Sequence, residues 1–433
     1  MKSLKLGICG LGTVGSGTFN VLRRNIEDIN ARAGIPVDIV QVGARRDRDD
    51  CDTSGVAVTR DIFDVADNAE VDVVVEMIGG TTTAYELVMK AIANGKHVVT
   101  ANKALIALHG NDIFAAAEQQ GVAVHYEAAV AGGIPIIQTM REGLVANRIE
   151  WLAGIINGTG NFILTEMFDK GVDFDTVLTQ AQELGYAEAD PTFDVEGIDA
   201  AHKLTILASL AFGIPLQFDK VFTEGISKIE PQDVEYAKEL GYRIKHLGIA
   251  RKTDLGVELR VHPALVGERR LLANVDGVMN AVMVQGDAVG PTLYYGAGAG
   301  AEPTASAVIS DIVDLARTLS MAPEFRTGHL GYNASHPNPP LVLDIADSVS
   351  ASYLRLMVED HPGTLANITT IMADNGLDIE SLIQKEHESD EPVVPVILLV
   401  GAAKESTVLN AIAQVEALQE VKDKVARIRV EAL

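Results

Sequence analysis

The sequence has few cysteines and few aromatic residues. Cys9 and Cys51 are the only cysteines, and they have neither a partner set nor a metal-ligand spacing. This excludes a disulfide framework and indicates a reducing compartment. Aromatic side chains make up 5% of the 433 residues, whereas hydrophobic side chains make up 47% and glycine occurs 39 times. A composition dominated by alanine, valine, isoleucine and glycine is typical of α/β proteins.

Positive charge is also scarce. The chain has 35 lysines and arginines against 60 aspartates and glutamates, a formal net charge of −25. Because this charge repels phosphate backbones and anionic headgroups, and no basic stripe offsets it, we expect neither a nucleic acid nor a membrane partner. No apolar run reaches the ~18 residues of a spanning helix, and the first residues lack a signal-peptide pattern. The sequence therefore predicts a cytoplasmic protein.

Short apolar runs rich in β-branched residues alternate with helical patterns in the first third of the chain. The predicted strands lie at 4–10, 37–44, 71–78, 97–100 and 122–126. Helical patterns at 83–94 and 111–120 separate the later strands. This alternation predicts a doubly wound α/β domain with a parallel sheet over residues 1–133.

The pattern changes after the first domain. A helix at 198–212 and alternating strands at 244–251 and 256–262 predict an α+β domain with a largely antiparallel sheet, spanning residues 134–335. A helix at 303–319, with a proline in its first turn, is expected to pack back on the first domain.

The C-terminal part is predicted to be a separate unit. The proline-rich stretch at 336–340 is typical of a linker. Beyond it, residues 350–433 show the order strand, helix, strand, strand, helix, strand, which is the ferredoxin-like βαββαβ arrangement.

A glycine-rich motif follows the first predicted strand. Gly10, Gly12 and Gly15 form G-x-G-x-x-G, with Thr13 and Val14 between them, at the start of a predicted helix. Glycines at this spacing let a pyrophosphate approach the N–H groups of the helix N-terminus. The motif favours a Rossmann-type dinucleotide-binding domain, although a plain glycine turn has the same spelling.

The end of the second strand bears on the choice of nucleotide. NAD-preferring sites place an acidic residue there, but this chain has Arg45 and Arg46. Since guanidinium groups bind phosphate oxygens through paired charged hydrogen bonds, NADP(H) is favoured and NAD(H) is a second option. In the alternative interpretation, both arginines pair with Asp47, Asp49 and Asp50 at the surface.

An acidic stretch precedes an apolar helical segment. Asp199 and Lys203 lie four residues apart, so both project from one helix face, with His202 beside them. Spacing alone describes an ordinary surface ion pair. However, the segment continues as LTILASLAFGI, which is typical of a buried helix, and a charged pair at its start could line a cleft.

The sequence GYAEADPTFDVEGIDAAHK at 185–203 resembles the signature of homoserine dehydrogenases, which interconvert aspartate 4-semialdehyde and homoserine with NAD(P). Three other segments are similar to that family: the glycine loop, TANK at 100–103 and GAGAGAEPTASAV at 296–308. The C-terminal unit resembles an ACT regulatory domain through VEDHPGTLANITTIMADNGLDIESL at 358–382. The resemblance implies an NAD(P)-dependent oxidoreductase of threonine, methionine and isoleucine biosynthesis.

The resemblance also implies roles for individual residues. Lys203 is the proton donor and acceptor at the substrate oxygen, Asp199 orients the substrate, and Glu188 binds it. Lys103 lies between cofactor and substrate. The acidic neighbours Asp194 and Glu196 are expected to be solvated loop residues.

Further implied residues concern the cofactor and a cation. Gly185, Gly300 and Glu302 would contact the nucleotide. A loop at 127–135 resembles a monovalent-cation site, in which sodium would be bound by backbone carbonyls of Glu127, Val130, Gly132 and Ile134.

The remaining implied partners are a small-molecule substrate, an amino-acid effector, expected to be threonine, at the ACT domain, and further copies of the chain in a homodimer or homotetramer. An alternative is a non-catalytic regulator that senses NADP and an amino acid. A phosphorylating semialdehyde dehydrogenase needs a thiolate nucleophile, and neither cysteine suits that role.

Overall fold

The computed structural model describes residues 3–319, 321–322, 325–332, 339–385 and 393–433, so most of the predicted linker lies outside the described residues. The first sheet has six parallel strands in the order β3-β2-β1-β4-β5-β6. They are β1 Leu4–Cys9, β2 Val37–Gly43, β3 Ala57–Thr59, β4 Val73–Glu76, β5 His97–Thr100 and β6 Val124–His125. The helices between them are α1 Thr13–Arg24, α2 Ile26–Ala33, α3 Phe63–Asp67, α4 Thr82–Ala93 and α5 Lys103–Gln120.

Helices cover both faces of this sheet. One hydrophobic core joins its strands to α3, α4 and α5, and a second core joins them to α1 and α2. Strands buried on both faces read as continuous β-branched runs, as VVV in β4 does. The predicted doubly wound parallel sheet is confirmed.

The central region contains a second, mostly antiparallel sheet with helices around it. Its elements are α6 Ile136–Gln138, β7 Ile149–Ile155, α7 Gly158–Lys170, α8 Phe174–Glu183, α9 Thr192–Val195, α10 Ile198–Phe212, β8 Phe222–Thr223, α11 Pro231–Glu239, β9 Tyr242–Lys252, β10 Val257–Gly267, β11 Met279–Gly286, β12 Gly290–Ala297 and α12 Ala301–Thr318. The last helix returns to the first domain, where Ala301 is in close contact with Gly17 of α1.

The C-terminal region has the predicted βαββαβ order. Its elements are β13 Val349–Glu359, α13 Thr364–Asp374, β14 Ile379–Ile383, β15 Val393–Lys404, α14 Glu405–Glu416 and β16 Ala426–Glu431. The expectation of a separate unit is wrong in one respect, because β16 pairs with β10 in parallel. The two regions therefore share one sheet, in the order β12-β11-β7-β9-β10-β16-β13-β15-β14.

Buried charges cross this junction. Arg260 of β10 is fully buried and donates to Glu431 of β16 at 2.5 Å. Arg355 of β13 donates to Asp233 of α11 at 2.7 Å. Replacing one partner of either pair by an apolar residue would leave the other charge buried and unpaired, which is strongly unfavourable. The junction therefore contains charged pairs in which each partner requires the other.

Helix α10 lies at the centre of the molecule. It packs against α5 of the first domain and against β7, β9 and β10 of the second sheet. Every residue from Asp199 to Phe212 is buried, which fits its apolar composition on all sides. The charged pair Asp199 and Lys203 is therefore held where the two regions meet.

None of the helices in the described part of the chain is both long and apolar enough to cross a membrane.

Candidate active site

The glycine loop between β1 and α1 is shaped for a phosphate group. Gly10 has a φ of 98°, and a side chain there would collide with the carbonyl of Met77. A Cβ on Gly15 would collide with the carbonyl of Gly10, whereas a Cβ on Gly12 would meet no atom of the described residues within 4 Å. Gly12 is the N-cap of α1, and as a glycine it has no side chain with which to cap the helix. The loop thus presents uncapped N–H groups to open space, which fits a bound pyrophosphate.

A cleft of about 890 Å³ adjoins this loop and is rich in arginine. Its lining includes Gly10, Gly12, Arg45, Arg46, Arg48 and Arg60. Asp50 is bonded to Arg48 and Asp47 to Arg60. Within the described ranges, Arg45 and Arg46 form no ion pair, so the surface pairing considered from the sequence is not seen.

A second cavity, of about 440 Å³, continues from this cleft toward α5. The two share Met77 and Gly79 in their walls. The second is also lined by Val14, Lys103 and Phe193, the last of which belongs to the acidic stretch. The nucleotide cleft is therefore continuous with the segment that carries the predicted substrate residues.

Local hydrogen bonds fix Lys103 at the first position of α5. Asn102 caps the helix by accepting from the N–H of Leu105 at 3.1 Å, and its amide donates to the carbonyl of Gly80 at 2.7 Å. Thr100 donates to the buried carboxyl of Glu76 at 2.5 Å. These contacts orient the half-buried Lys103 side chain into the cavity.

Asp199 joins two lysines from different regions of the chain. Lys203, one turn further along α10, donates to Asp199 Oδ2 at 2.6 Å and to the carbonyl of Ile156 at 2.7 Å. Lys103 Nζ lies 2.9 Å from Asp199 Oδ1. Lys203 is buried and is linked through Asp199 to Lys103, which lines the cavity. The two lysines therefore connect α10 to the wall of the cavity.

The electrostatics of this cluster set the charge of each member. Burial favours a neutral Asp199, but the ammonium groups of Lys203 and Lys103 outweigh it and hold the pKa of Asp199 well below its usual value. Burial lowers the pKa of Lys203, although Asp199 opposes the shift. Burial also acts to lower the pKa of Lys103, but the opposing effect of the Asp199 carboxylate is larger, so the pKa of Lys103 is raised. Lys203 is therefore the lysine that releases its proton more readily.

The structure adds two residues to this cluster. Asn157, the N-cap of α7, donates to Asp199 at 2.9 Å and to Asp194 at 2.8 Å. Burial raises the pKa of Asp194, which Asn157 opposes. The expectation that Asp194 is a solvated loop residue is wrong. Glu196 accepts a hydrogen bond from Ser227 and lies outside the cluster. An asparagine before a glycine-rich helix start is the sequence signal for Asn157.

Other predicted residues lie around the site at different distances. Glu188 is exposed, and its charge contributes to raising the pKa of Lys103. Gly185 is exposed and lines neither cavity in the described part of the chain. Gly300 is the N-cap of α12, and Glu302 is bonded to Arg24 of α1 at 2.6 Å. The Glu302 side chain therefore lies between α1 and α12 and not in the cleft.

The predicted cation loop joins three parts of the fold. Glu127 is buried, its N–H donates to Asp311 of α12 at 2.8 Å, and its carboxyl accepts from the N–H of Gln138 at 2.7 Å. Gly132 contacts Gly298, and Ala131 between Val130 and Gly132 has a positive φ of 53°. Val130 and Ile134 are buried in the same loop. The carbonyl of Ile134 accepts from the N–H of Ile136 at 2.7 Å, and each carbonyl oxygen has two lone pairs, so one is left on it for a cation.

Comparison with known families identifies the three regions separately. The family described as "Homoserine dehydrogenase, NAD binding domain" matches residues 10–127, "Homoserine dehydrogenase" matches residues 135–313, and "ACT domain" matches residues 352–417.

Similar proteins match over the full length. A homoserine dehydrogenase of Pseudomonas aeruginosa is 63% identical over 100% of both chains, and one of Neisseria gonorrhoeae is 52% identical over 100% of both. The crystal structure of a homoserine dehydrogenase from Thiobacillus denitrificans has a TM-score of 0.94 and 58% identity, covering 99% of this chain and 98% of that one.

Proposed function

We propose a mechanism for this chain on the premise that it belongs to the homoserine dehydrogenase family, oxidoreductases acting on a CH–OH group. The reaction is the reversible reduction of L-aspartate 4-semialdehyde to L-homoserine, which leads to threonine, methionine and isoleucine. The observation that carries the mechanism is the bridge that Asp199 makes between Lys203 and Lys103, because Lys103 lines the cavity next to the nucleotide cleft.

Lys203 is proposed to hold the proton that is exchanged with the substrate oxygen. An ammonium group has three N–H donors, and Asp199 and the Ile156 carbonyl use two of them. The third is available to a substrate oxygen that enters next to Lys103. In the oxidation direction the neutral amine accepts the hydroxyl proton, and the lowered pKa of Lys203 favours this form.

The neighbouring charges would orient the substrate. Asp199 fixes Lys203 and Lys103, and the positive charge of Lys103 stabilises negative charge on the oxygen. Asp194 and the exposed Glu188 are proposed to supply carboxylates for the α-ammonium group of homoserine. Burial of Lys203 and Asp199 excludes water from the proton exchange.

The nucleotide-binding domain indicates the use of NAD(P). When bound, the nicotinamide supplies or accepts the hydride. The N–H groups after Gly12 would hold the pyrophosphate, with Gly10, Thr13, Val14 and Gly15 forming the turn. Arg45 and Arg46 are proposed to bind a 2′-phosphate, which favours NADP(H), and Gly185, Gly300 and Glu302 stay proposals for contacts with the cofactor.

Replacing Arg45 and Arg46 together by alanine should lower kcat/KM for NADP by about 10- to 100-fold, because charged hydrogen bonds to a phosphate are lost. The value for NAD should change little. Steady-state oxidation of homoserine with each cofactor measures both. Arg269→Ala is the matched control, since this exposed arginine of the second sheet region does not line the cleft. Equal losses for NADP and NAD would contradict a 2′-phosphate site.

The C-terminal region is proposed to bind an amino-acid effector, as its ACT domain suggests. L-threonine, a product derived from homoserine, is the proposed effector. Titration calorimetry of the full chain should show saturable binding of L-threonine and none of D-threonine, and L-threonine should inhibit homoserine oxidation. Inhibition by both enantiomers alike would contradict a specific site.

We propose domain boundaries at residues 1–133, 134–335 and 350–433, and a homodimer or homotetramer as the assembly. Edge strand β12 leaves Tyr295 exposed, which is compatible with a further subunit there.

A monovalent cation such as sodium is proposed for the loop of Glu127, Val130, Gly132 and Ile134, where it would brace the contact with α12.

A further inference from the structure

His246 of β9 is enclosed by the two backbone segments that present the polar active-site residues. A Cβ placed on Gly197, the residue before α10, would lie 3.0 Å from Cε1 of His246. A Cβ placed on Gly160, in the first turn of α7, would lie 3.7 Å from its Nδ1. Gly197 precedes Asp199, and Gly160 donates to Asn157. The imidazole therefore separates and supports the starts of α10 and α7.

A short segment, residues 222–224, fixes His246 and Gly197 from the other side. The carbonyl of Glu224 lies 2.9 Å from Nε2 of His246. Because a carbonyl only accepts, Nε2 carries the proton and donates. The Thr223 methyl group is 3.1 Å from a Cβ placed on Gly197. Segment 222–224 thus contacts both groups that set the position of α10.

The C-terminal region holds this segment through one residue. Arg429 of β16 donates to Glu224 Oε2 at 2.6 Å, and its guanidinium lies 4.9 Å from the ring centroid of Phe222. Arg429 also donates to Glu405, the first residue of α14, at 2.7 Å. The Arg429 side chain is 4% exposed and that of Glu405 3%, whereas that of Glu224 is 36% exposed, so the contact with Glu405 is shielded from water and the contact with Glu224 is partly open to it.

We propose that Arg429 and His246 are positioning residues for the active site, acting through segment 222–224. Arg429 holds segment 222–224 in place. That segment positions His246 and Gly197. These two residues in turn set the distance between Asp199 and Asn157. The inference rests on the proposed function, in which Asp199 orients Lys203. It also provides a physical connection from α14 of the C-terminal region to the reacting groups.

The chain offers a matched pair of variants. Arg427→Met and Arg429→Met each remove one guanidinium from Glu405, but Arg427 bonds Glu405 and Ser352 and does not reach segment 222–224. In the full chain, Arg429→Met should lower kcat/KM for homoserine about 10-fold relative to Arg427→Met, because small displacements of reacting groups are costly. KM for NADP should be the same in both, and Arg429→Lys should recover part of the loss.

Two further measurements separate positioning from loss of stability. Glu224→Gln should reproduce the loss, and combining it with Arg429→Met should add little. Hydrogen–deuterium exchange of peptides covering residues 195–206 should increase in Arg429→Met and not in Arg427→Met. The exchange measurement detects the effect of Arg429 on the start of α10 without any catalytic turnover. It therefore supports or overturns the inference even if the protein does not oxidise homoserine. Equal exchange in the two variants, or equal kcat/KM, would overturn it.

Discussion

Lys203→Ala is expected to reduce the turnover of homoserine at least ~100-fold, the range of a lost general acid–base group. Lys203 is the buried lysine whose pKa is lowered, and its amine has one donor available beyond Asp199 and the Ile156 carbonyl. Lys103 cannot replace it, because Asp199 keeps the pKa of Lys103 raised. NADP binding should persist, since the glycine loop and Arg45 are untouched. Stopped-flow or steady-state rates and a fluorescence titration of NADPH measure the two effects.

The control for this variant is Lys220→Ala, which removes an exposed lysine that follows α10. Its turnover should match the wild type. A urea titration of both variants tests whether the loss of activity reflects unfolding. Wild-type turnover in folded Lys203→Ala would show that the proton is exchanged elsewhere.

Asp199→Asn is expected to lower kcat about 100-fold, because the carboxylate that holds both lysines in place is lost. The pH dependence should also change in a defined direction. Asp199 opposes the lowering of the pKa of Lys203, so its removal leaves burial and the charge of Lys103 acting together. The pKa of Lys203 then falls further, and the rise of homoserine oxidation with pH should move to lower pH.

Asp190→Asn is the matched control, since this exposed aspartate of the same stretch accepts from the backbone N–H of Thr192 at 3.1 Å and lies outside the cluster. Its pH profile should equal that of the wild type. A shift of the Asp199→Asn profile to higher pH would mean that Lys203 is not the group that titrates.

The parts of the fold that depend on local pattern are predictable from the sequence. A run such as VDVVVE predicts a buried parallel strand, and the apolar stretch after Lys203 predicts a helix buried on all sides. The start of α5 is missed by eight residues, at Lys103 instead of 111. Its helical pattern is weakly amphipathic, and only the N-cap Asn102 marks the true start.

The contacts that depend on distant parts of the chain are not predictable in this way. Asp194 is drawn into the active-site cluster by Asn157, which precedes it by 37 residues. Arg60 enters the nucleotide cleft because β3 pairs in parallel with β2 and brings its carboxyl end to the same edge. The pairing of β16 with β10 depends on buried partners such as Arg260 and Glu431. Each follows from tertiary packing and leaves no periodic signal.

A crystal structure of the full chain with NADP and homoserine bound is the most direct test of the central claim, that the Lys203 amine exchanges a proton with the substrate oxygen. The account predicts that Nζ of Lys203 lies within about 3 Å of the homoserine hydroxyl, a hydrogen-bond distance, while its contact with Asp199 is kept. A hydroxyl bonded to Lys103 alone, with Lys203 still separated from it by Asp199, would contradict the account.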